Sequence, residues 1–163
     1  MGKKPPRVAT PALAALAKAG VEYRVHAYDH DPSARSYGDE AVQHLGAAPG
    51  SVFKTLVITD GTRFGVALVP AQGRLSLKAA GAVLGLHRPV MAGSADVTRV
   101  TGYVLGGVSP LAQRRRLPTA VDASAWEFST VFCSAGRRGL EIELAPADLV
   151  TLTGATTAPL AAE

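Results

Sequence analysis

Hydrophobic and polar positions change period several times along this chain, and each change marks an element. Residues 8–17 are mostly apolar, with Leu13, Leu16 and Ala17 on one helical face. Thr10-Pro11 supplies an N-cap and a first-turn proline, and Gly20 a stop, so the spacing predicts a helix. From Val21 the period becomes two. Val21, Tyr23, Val25 and Ala27 alternate with Glu22, Arg24, His26 and Tyr28, which is a half-buried strand. Asp29-His30-Asp31-Pro32 breaks it into a loop. Residues 38–45 read as a short helix stopped by Gly46. Apolar runs at 52–59 and 62–69 meet at Asp60-Gly61, the strongest hairpin signal in the chain. Ser76 caps a helix that runs to Leu84 and stops at Gly85. Residues 87–91 read as a short strand and 94–100 as a short capped helix.

Residues 102–110 read as a strand running into a tight glycine loop. Strands follow at 117–121, 128–134 and 139–144, the last two joined through Ala135-Gly136-Arg137-Arg138. Residues 146–152 form a last helix, and the Ala/Thr-rich stretch 153–163 reads as a flexible C-terminal tail. Residues 1–9 read as a basic N-terminal tail. Its charge and the apolar stretch after it have the outline of a secretory leader, but the Thr10-Pro11 cap favours a domain helix. A myristoylation motif is broken at Pro6. About seven short strands interleave with four or five short helices, with no repeat and no βαβ rhythm. That predicts an α/β single domain over residues 10–152, with a mixed, mostly antiparallel sheet surrounded by short helices.

Composition narrows the class. The chain has 163 residues, enough for one ordinary domain. A hydrophobic share of 47%, a charged share of 18% and a mean hydropathy of +0.16 exclude a mostly disordered chain. No apolar run reaches the ~18 residues of a membrane span, so no membrane partner is expected. Lys and Arg number 17 against 13 Asp and Glu, leaving +4 and a pI near 9.5. That permits a polyanionic partner but is modest beside an obligate DNA binder, and DNA is not expected. The single cysteine, Cys133, excludes an internal disulfide and a cysteine zinc cluster, and fits a reducing cytoplasm.

Candidate chemistry is sparse. Lys54 shares a strand face with Val52, Leu56 and Ile58, while Phe53, Thr55 and Val57 make the other face largely apolar too. A lysine there either lines a cavity, where its charge could hold an ester or carboxylate oxygen, or snorkels from the strand end to water. Gly106-Gly107-Val108-Ser109-Pro110 is either a plain tight turn or a loop whose amides hold an oxyanion. Ser109 is in no nucleophile elbow, since Leu111 stands where glycine is needed. Ser134 falls at a strand end. Glu141 and Glu143 share the face opposite Leu140, Ile142 and Leu144, a solvated face by alternation alone. Arg114, Arg115, Arg116, Arg137 and Arg138 occupy two loops, either a phosphate-binding rim or solubilising charge. His26, His30, His44 and His87 lack metal-ligand spacing, and Cys133 reads as a small core residue. No metal, Walker A or dinucleotide motif is present in the sequence, and no cofactor is expected.

Four segments in order carry a resemblance: Tyr28-Asp29-His30-Asp31-Pro32, Phe53-Lys54-Thr55-Leu56, the run from Thr101-Gly102-Tyr103 through Gly106-Gly107-Val108-Ser109-Pro110, and Arg138-Gly139-Leu140-Glu141-Ile142-Glu143-Leu144. Over residues 10–152 the chain resembles the YbaK family of aminoacyl-tRNA deacylases. The resemblance implies a barrel-like sheet and trans-editing: the enzyme deacylates cysteine that prolyl-tRNA synthetase has mischarged onto tRNA(Pro). It implies an essential pocket lysine at Lys54, and pocket residues at Tyr28, Tyr37, Gly106 and Ser134. Glu141 stands where the family has an aspartate, Tyr37 where close relatives often have Phe, and Ala135 where a glycine often follows the pocket serine. These departures touch the pocket's shape and so its amino-acid preference. In the Cys-specific members the substrate's own thiol attacks its ester, which matches the lack of any Ser–His or Cys–His pair in the sequence. Lys54 would hold the tRNA 3′ end or the substrate, the loop amides of Gly106, Gly107 and Ser109 would orient the ester, and the arginine loops would meet tRNA(Pro). Three rival readings stay open: a deacylase for Ala- or Ser-charged tRNA, a non-enzymatic tRNA- or synthetase-binding adaptor, and a small-metabolite domain with an anion pocket at Lys54.

Overall fold

The computed structural model describes residues 9–29 and 37–162. Helix α1 (Pro11–Ala19) forms as its cap requires: the Thr10 hydroxyl accepts the Leu13 N–H at 3.1 Å, and Gly20 closes the helix at φ +70°. The same hydroxyl donates to the Ala135 carbonyl at 2.6 Å, so the cap also ties the helix to a strand. There follow β1 (Tyr23–Ala27), α2 (Tyr37–Leu45), β2 (Phe53–Thr59), β3 (Phe64–Pro70), α3 (Leu77–Leu84), β4 (Val90–Met91) and α4 (Ser94–Thr101). Then come β5 (Thr119–Asp122), β6 (Val131–Arg137), β7 (Leu140–Leu144), α5 (Pro146–Thr153) and β8 (Thr156–Ala158). A short 3-10 turn over Ala123–Glu127, unmarked by any period in the sequence, links β5 to β6. No helix among the described residues is long and apolar enough to cross a membrane.

The strands make two sheets. One has the order β1-β7-β6, all antiparallel. The other has the order β4-β2-β3-β5-β8, antiparallel as far as β3 and parallel beyond it. They join at one isolated parallel bridge, Val52 to Phe132, where the Phe132 N–H donates to the Ser51 carbonyl at 2.9 Å. The expected mixed sheet is therefore present as two open sheets rather than a closed barrel. The faces of β2 follow the alternation in the sequence. Phe53 and Val57 enter the main core between the sheets, while Leu56 and Ile58 pack with α3.

Three expectations need correction. Residues 102–110 form no strand. Gly102 ends α4 at φ +81°, and Tyr103 is held by local bonds: its N–H donates to Thr101 Oγ1 and its hydroxyl to the Leu111 carbonyl at 2.7 Å. The alternation fails as well, since Val104 and Leu105 are both exposed. The Asp60-Gly61 signal marks a real hairpin, but the loop runs from Asp60 to Arg63, because Thr59 pairs with Phe64. Asp60 accepts the Thr62 and Arg63 N–H groups and shapes the longer turn.

The third correction concerns the C-terminus, which is not a frayed tail. β8 pairs with β5, and Leu160 is fully buried beside Ile58 and Val69. Asp122 is the anchor. Its Oδ1 accepts the Leu160 N–H at 2.7 Å and the Ala161 N–H at 3.1 Å, while Oδ2 accepts from the Ser124 hydroxyl and N–H. Burial opposes ionisation of this carboxyl, but the bonds from Ser124, Leu160 and Ala161 outweigh it and hold its pKa below the usual value. The apolar periodicity of 153–163 is weak, and nothing local reveals a partner 38 residues upstream.

Asp122→Ala leaves the buried Leu160 N–H and the part-buried Ala161 N–H unpaired and should cost roughly 2–3 kcal/mol of stability in urea unfolding. Amide exchange at Leu160 and Ala161 should quicken beyond that global change. Because the folded pKa of Asp122 is depressed, its contribution is present above the unfolded value and is lost as pH falls through the folded one. The stability gap between wild type and variant should therefore close on acidification.

Candidate active site

β2 has an unusual edge. On its β4 side the ladder covers only Ile58 and Thr59, and at the other end lies the Val52 bridge. Phe53, Lys54, Thr55 and Leu56, between these two pairings, line a cavity of about 340 Å³. The opposite wall comes from the second sheet, through Ser134 of β6 and Glu141 of β7, which are cross-strand partners. Leu105, Gly106 and Val108 of the 102–110 loop close one side, and Ala41 of α2 with Ala71 closes another. Residues distant in sequence thus meet because two sheets separate beyond a single bridge.

Lys54 is half-buried in this cavity, and its Nζ donates to the Gly73 carbonyl at 2.7 Å. Gly73 lies in the tight turn after β3, where its own N–H donates to the Pro70 carbonyl. The lysine is therefore a cavity residue, not one that snorkels away, and a carbonyl fixes its direction. Ser134 sits at a β-bulge, and its Oγ accepts the Gly136 N–H at 3.1 Å.

The two glutamates of β7 have opposite states. Glu141 is 9% exposed, and burial pushes its carboxyl up to about 8, so it holds a proton at neutral pH. Glu143, two residues on, accepts from the Thr130 hydroxyl at 2.6 Å and stands 2.9 Å from His26 Nε2. The Thr130 bond first, with His26 after it, holds that carboxyl below the usual range. Alternation predicted one solvated face for both. On this central strand only the Glu143 end reaches partial exposure, and the cavity wall takes Glu141.

Tyr28 packs near Ala41, Val52 and Phe132, and its ring stacks on His44 at 4.9 Å. Burial raises its phenol pKa, and the nearby Glu141 and Glu40 raise it further. The stacked His44 and the buried Glu40 carried no signal in the sequence. Glu40 stands 3.9 Å from the Arg138 guanidinium, an ion pair that ties α2 to the β6–β7 turn. Arg138 is thus turned inward. Tyr37 begins α2, but its side chain lies outside the described residues, as do His30, Asp31 and Pro32.

The glycine loop divides. Gly106, at φ +89°, lines the cavity. Gly107 and Ser109 are not among the residues that line the cavity. The Gly107 N–H donates to the Val104 carbonyl, and a Cβ at Gly107 would lie 2.9 Å from Arg137 Cα and Arg138 N. Gly107 is there because two backbones touch. Ser109 is fully buried, and its Oγ accepts the Leu111 N–H. Cys133 is fully buried and burial raises its thiol pKa, as a core residue requires.

The arginine groups are anchored to different elements. Arg137, exposed, adjoins Gly107. The Arg114 and Arg115 N–H groups donate to the Thr101 and Val100 carbonyls at the end of α4. Arg115 also lies over the Phe64 ring at 6.0 Å. Arg115 and Arg116 line a second cavity of about 280 Å³ with Gln113, Thr119 and Thr153.

Comparison with known proteins agrees with this geometry. Residues 31–152 match the aminoacyl-tRNA editing domain family. A protein of Enterococcus faecalis, EbsC, provisionally named a Cys-tRNA(Pro)/Cys-tRNA(Cys) deacylase, is 33% identical over 155 residues, covering 94% of this chain and 93% of that protein. A crystal structure provisionally described as a trans-editing enzyme for prolyl tRNA synthetase shares 28% identity and a TM-score of 0.82, over 96% of this chain and 99% of that one. A chain solved in work on epitope-grafting scaffolds shares 27% identity and a TM-score of 0.83, over 94% and 96%. By these matches the chain belongs to the aminoacyl-tRNA editing domain family, and its activity is the deacylation of aminoacyl-tRNA.

Proposed function

We propose that this chain clears Cys-tRNA(Pro) left by prolyl-tRNA synthetase, with the substrate's own thiol as nucleophile. The observation that carries the reading is the cavity itself. It brings a fixed lysine, a backbone edge, Gly106, Ser134 and a neutral Glu141 together, and among the described residues its lining includes no histidine or cysteine to activate a protein nucleophile. Such a site supplies position and charge rather than covalent chemistry. The name of the Enterococcus relative supports the same substrate.

In this reading the cysteinyl sulfur bonds to the ester carbonyl carbon, the carbon–oxygen bond to the terminal ribose breaks, and the thiol proton passes to the leaving ribose oxygen. Water then opens the released thiolactone to free cysteine. Lys54 holds the ester end of the substrate and stabilises charge that develops on its oxygen. Tyr28, Tyr37, Gly106, Ser134 and Glu141 shape the pocket around the amino acid. Glu141 is neutral, so it adds no negative charge next to a sulfur that must become more anionic. Arg114, Arg115, Arg116 and Arg137 offer charge to the tRNA phosphates, while Arg138 acts through its pair with Glu40. Discrimination by thiol chemistry avoids the weak limit of selection by size, because alanine and proline lack the group.

Lys54→Ala should lower kcat/KM for Cys-tRNA(Pro) by on the order of 10²–10³ in a radiolabelled deacylation assay. Retained activity would sink the assignment of this lysine. Wild type should hydrolyse Cys-tRNA(Pro) much faster than Ala-tRNA(Pro). Equal rates, or a preference for alanine, would replace thiol assistance with attack by water or the ribose hydroxyl.

Glu141→Gln keeps the size of the side chain and removes its ionisation. Between the ordinary value of 4.5 and about 8, folded wild type holds a proton that the unfolded chain has lost. Wild-type stability therefore declines as pH rises through that window, and the variant's does not. The two should melt together near pH 4 and separate up to pH 8, with the variant higher by roughly 5 °C or more. Thermal melts followed by circular dichroism at several pH values test this.

A further inference from the structure

The loop that closes the cavity ends in an apolar tip. Val104 is 62% exposed and Leu105 is 53% exposed, side by side in a turn. The Gly107 N–H donates to the Val104 carbonyl, and Gly106 carries the positive φ that a type II turn needs at its third residue. Turn tips of this kind are ordinarily polar, and two adjacent aliphatic side chains here cost solvation without adding to the core. Leu105 also lines the cavity, so the tip is continuous with its mouth.

A cation stands beside this apolar surface by construction. Gly107 touches the Arg137 backbone, and a Cβ there would meet Arg137 Cα at 2.9 Å. That contact seats the backbone of the exposed Arg137 against the turn that carries Val104 and Leu105. A small flat apolar surface flanked by a guanidinium suits a nucleotide, whose base has an apolar face and whose phosphate is an anion. It is too small for a protein partner, which needs about 800 Å² on each side.

We propose that Val104 and Leu105 form the platform for the terminal base of the substrate RNA, with Arg137 directed to the adjoining phosphate. The assignment rests on the proposed reading above, in which the aminoacyl ester fills the cavity. The ribose that carries the ester must then lie at the mouth, and its base falls within reach of the tip. Binding at this tip reads the end of the RNA and not the amino acid, so it separates recognition of the tRNA from the chemistry.

The test needs no catalysis. An uncharged, fluorescently labelled RNA hairpin with a tRNA acceptor end and terminal adenosine is compared with the same hairpin ending in an abasic ribose. Binding to the full-length chain is followed by anisotropy. Wild type should bind the adenosine end roughly tenfold more tightly, the scale expected for covering part of two aliphatic side chains. Val104→Ser and Leu105→Ser should each bring that ratio towards one, while Val90→Ser, exposed on β4, should leave it unchanged. Both tip positions are exposed, and the wild-type comparison of the two hairpins stands even if a variant misfolds. Equal binding of the two hairpins by wild type, or a preference that survives both tip substitutions, overturns the proposal. Hydrolysis of the hairpin charged with cysteine is scored separately: a base preference without its deacylation would refute the Cys-tRNA(Pro) reading and keep the platform, and its deacylation without a base preference would do the reverse.

Discussion

One parallel bridge between Val52 and Phe132 is what the rest of the structure depends on. The two sheets are hydrogen-bonded strand to strand there and nowhere else among the described residues. Beyond it, the β4 ladder covers only Ile58 and Thr59 of β2 among the described residues, and the main core lies between the sheets. A strand edge beyond its ladder is ordinarily a liability, because its N–H and C=O groups seek partners. Here that edge is turned into a cavity wall and covered by α2 and the 102–110 loop. The cavity is the space that the two sheets fail to close.

The elements that cover the edge combine apolar packing, Ala41 of α2 against Val52 and Phe132 and the loop's Tyr103 and Val108 in the main core, with a few directional contacts. α2 is tied by the Glu40–Arg138 pair and by the Tyr28–His44 stack. The loop is tied by Tyr103, whose buried hydroxyl reaches Leu111, and by the backbone contact at Gly107. Such contacts are directional, so they fix orientation at little cost in exposed apolar surface. They also explain why Gly107 and Ser109 matter without lining the cavity, and why Arg138 differs from its neighbour Arg137. One guanidinium completes a buried pair, and the other faces solvent.

The electrostatics suit a site that works by positioning. Lys54 is oriented by a carbonyl, and Glu141 is neutral because burial outweighs everything else near it. The cavity therefore presents positive rather than negative character to an ester that becomes more anionic as it reacts. The modest overall charge of +4 agrees with an enzyme that must release each tRNA after one cleavage.

Local rules were enough to read much of this from the chain itself. Thr10-Pro11, Ser76 and the glycines at 20 and 85 set helix ends, because capping is a matter of a few adjacent residues. Alternation placed Lys54 and Glu141 on definite strand faces, and the ordered motifs marked the family. Other features depend on atoms far apart in sequence, and periodicity carries no signal for them. The C-terminal strand is ordered only because Asp122 reaches Leu160 and Ala161. Residues 102–110 look like a strand by composition, yet Thr101 and Leu111 bind Tyr103 into a loop. Glu141 looks solvated by alternation, yet the second sheet and the loop bury its face. The sequence by itself determined which residues sit on which face of each element, since that follows from local geometry. Only the tertiary structure decided which faces meet, because that depends on where two sheets bridge and where they part.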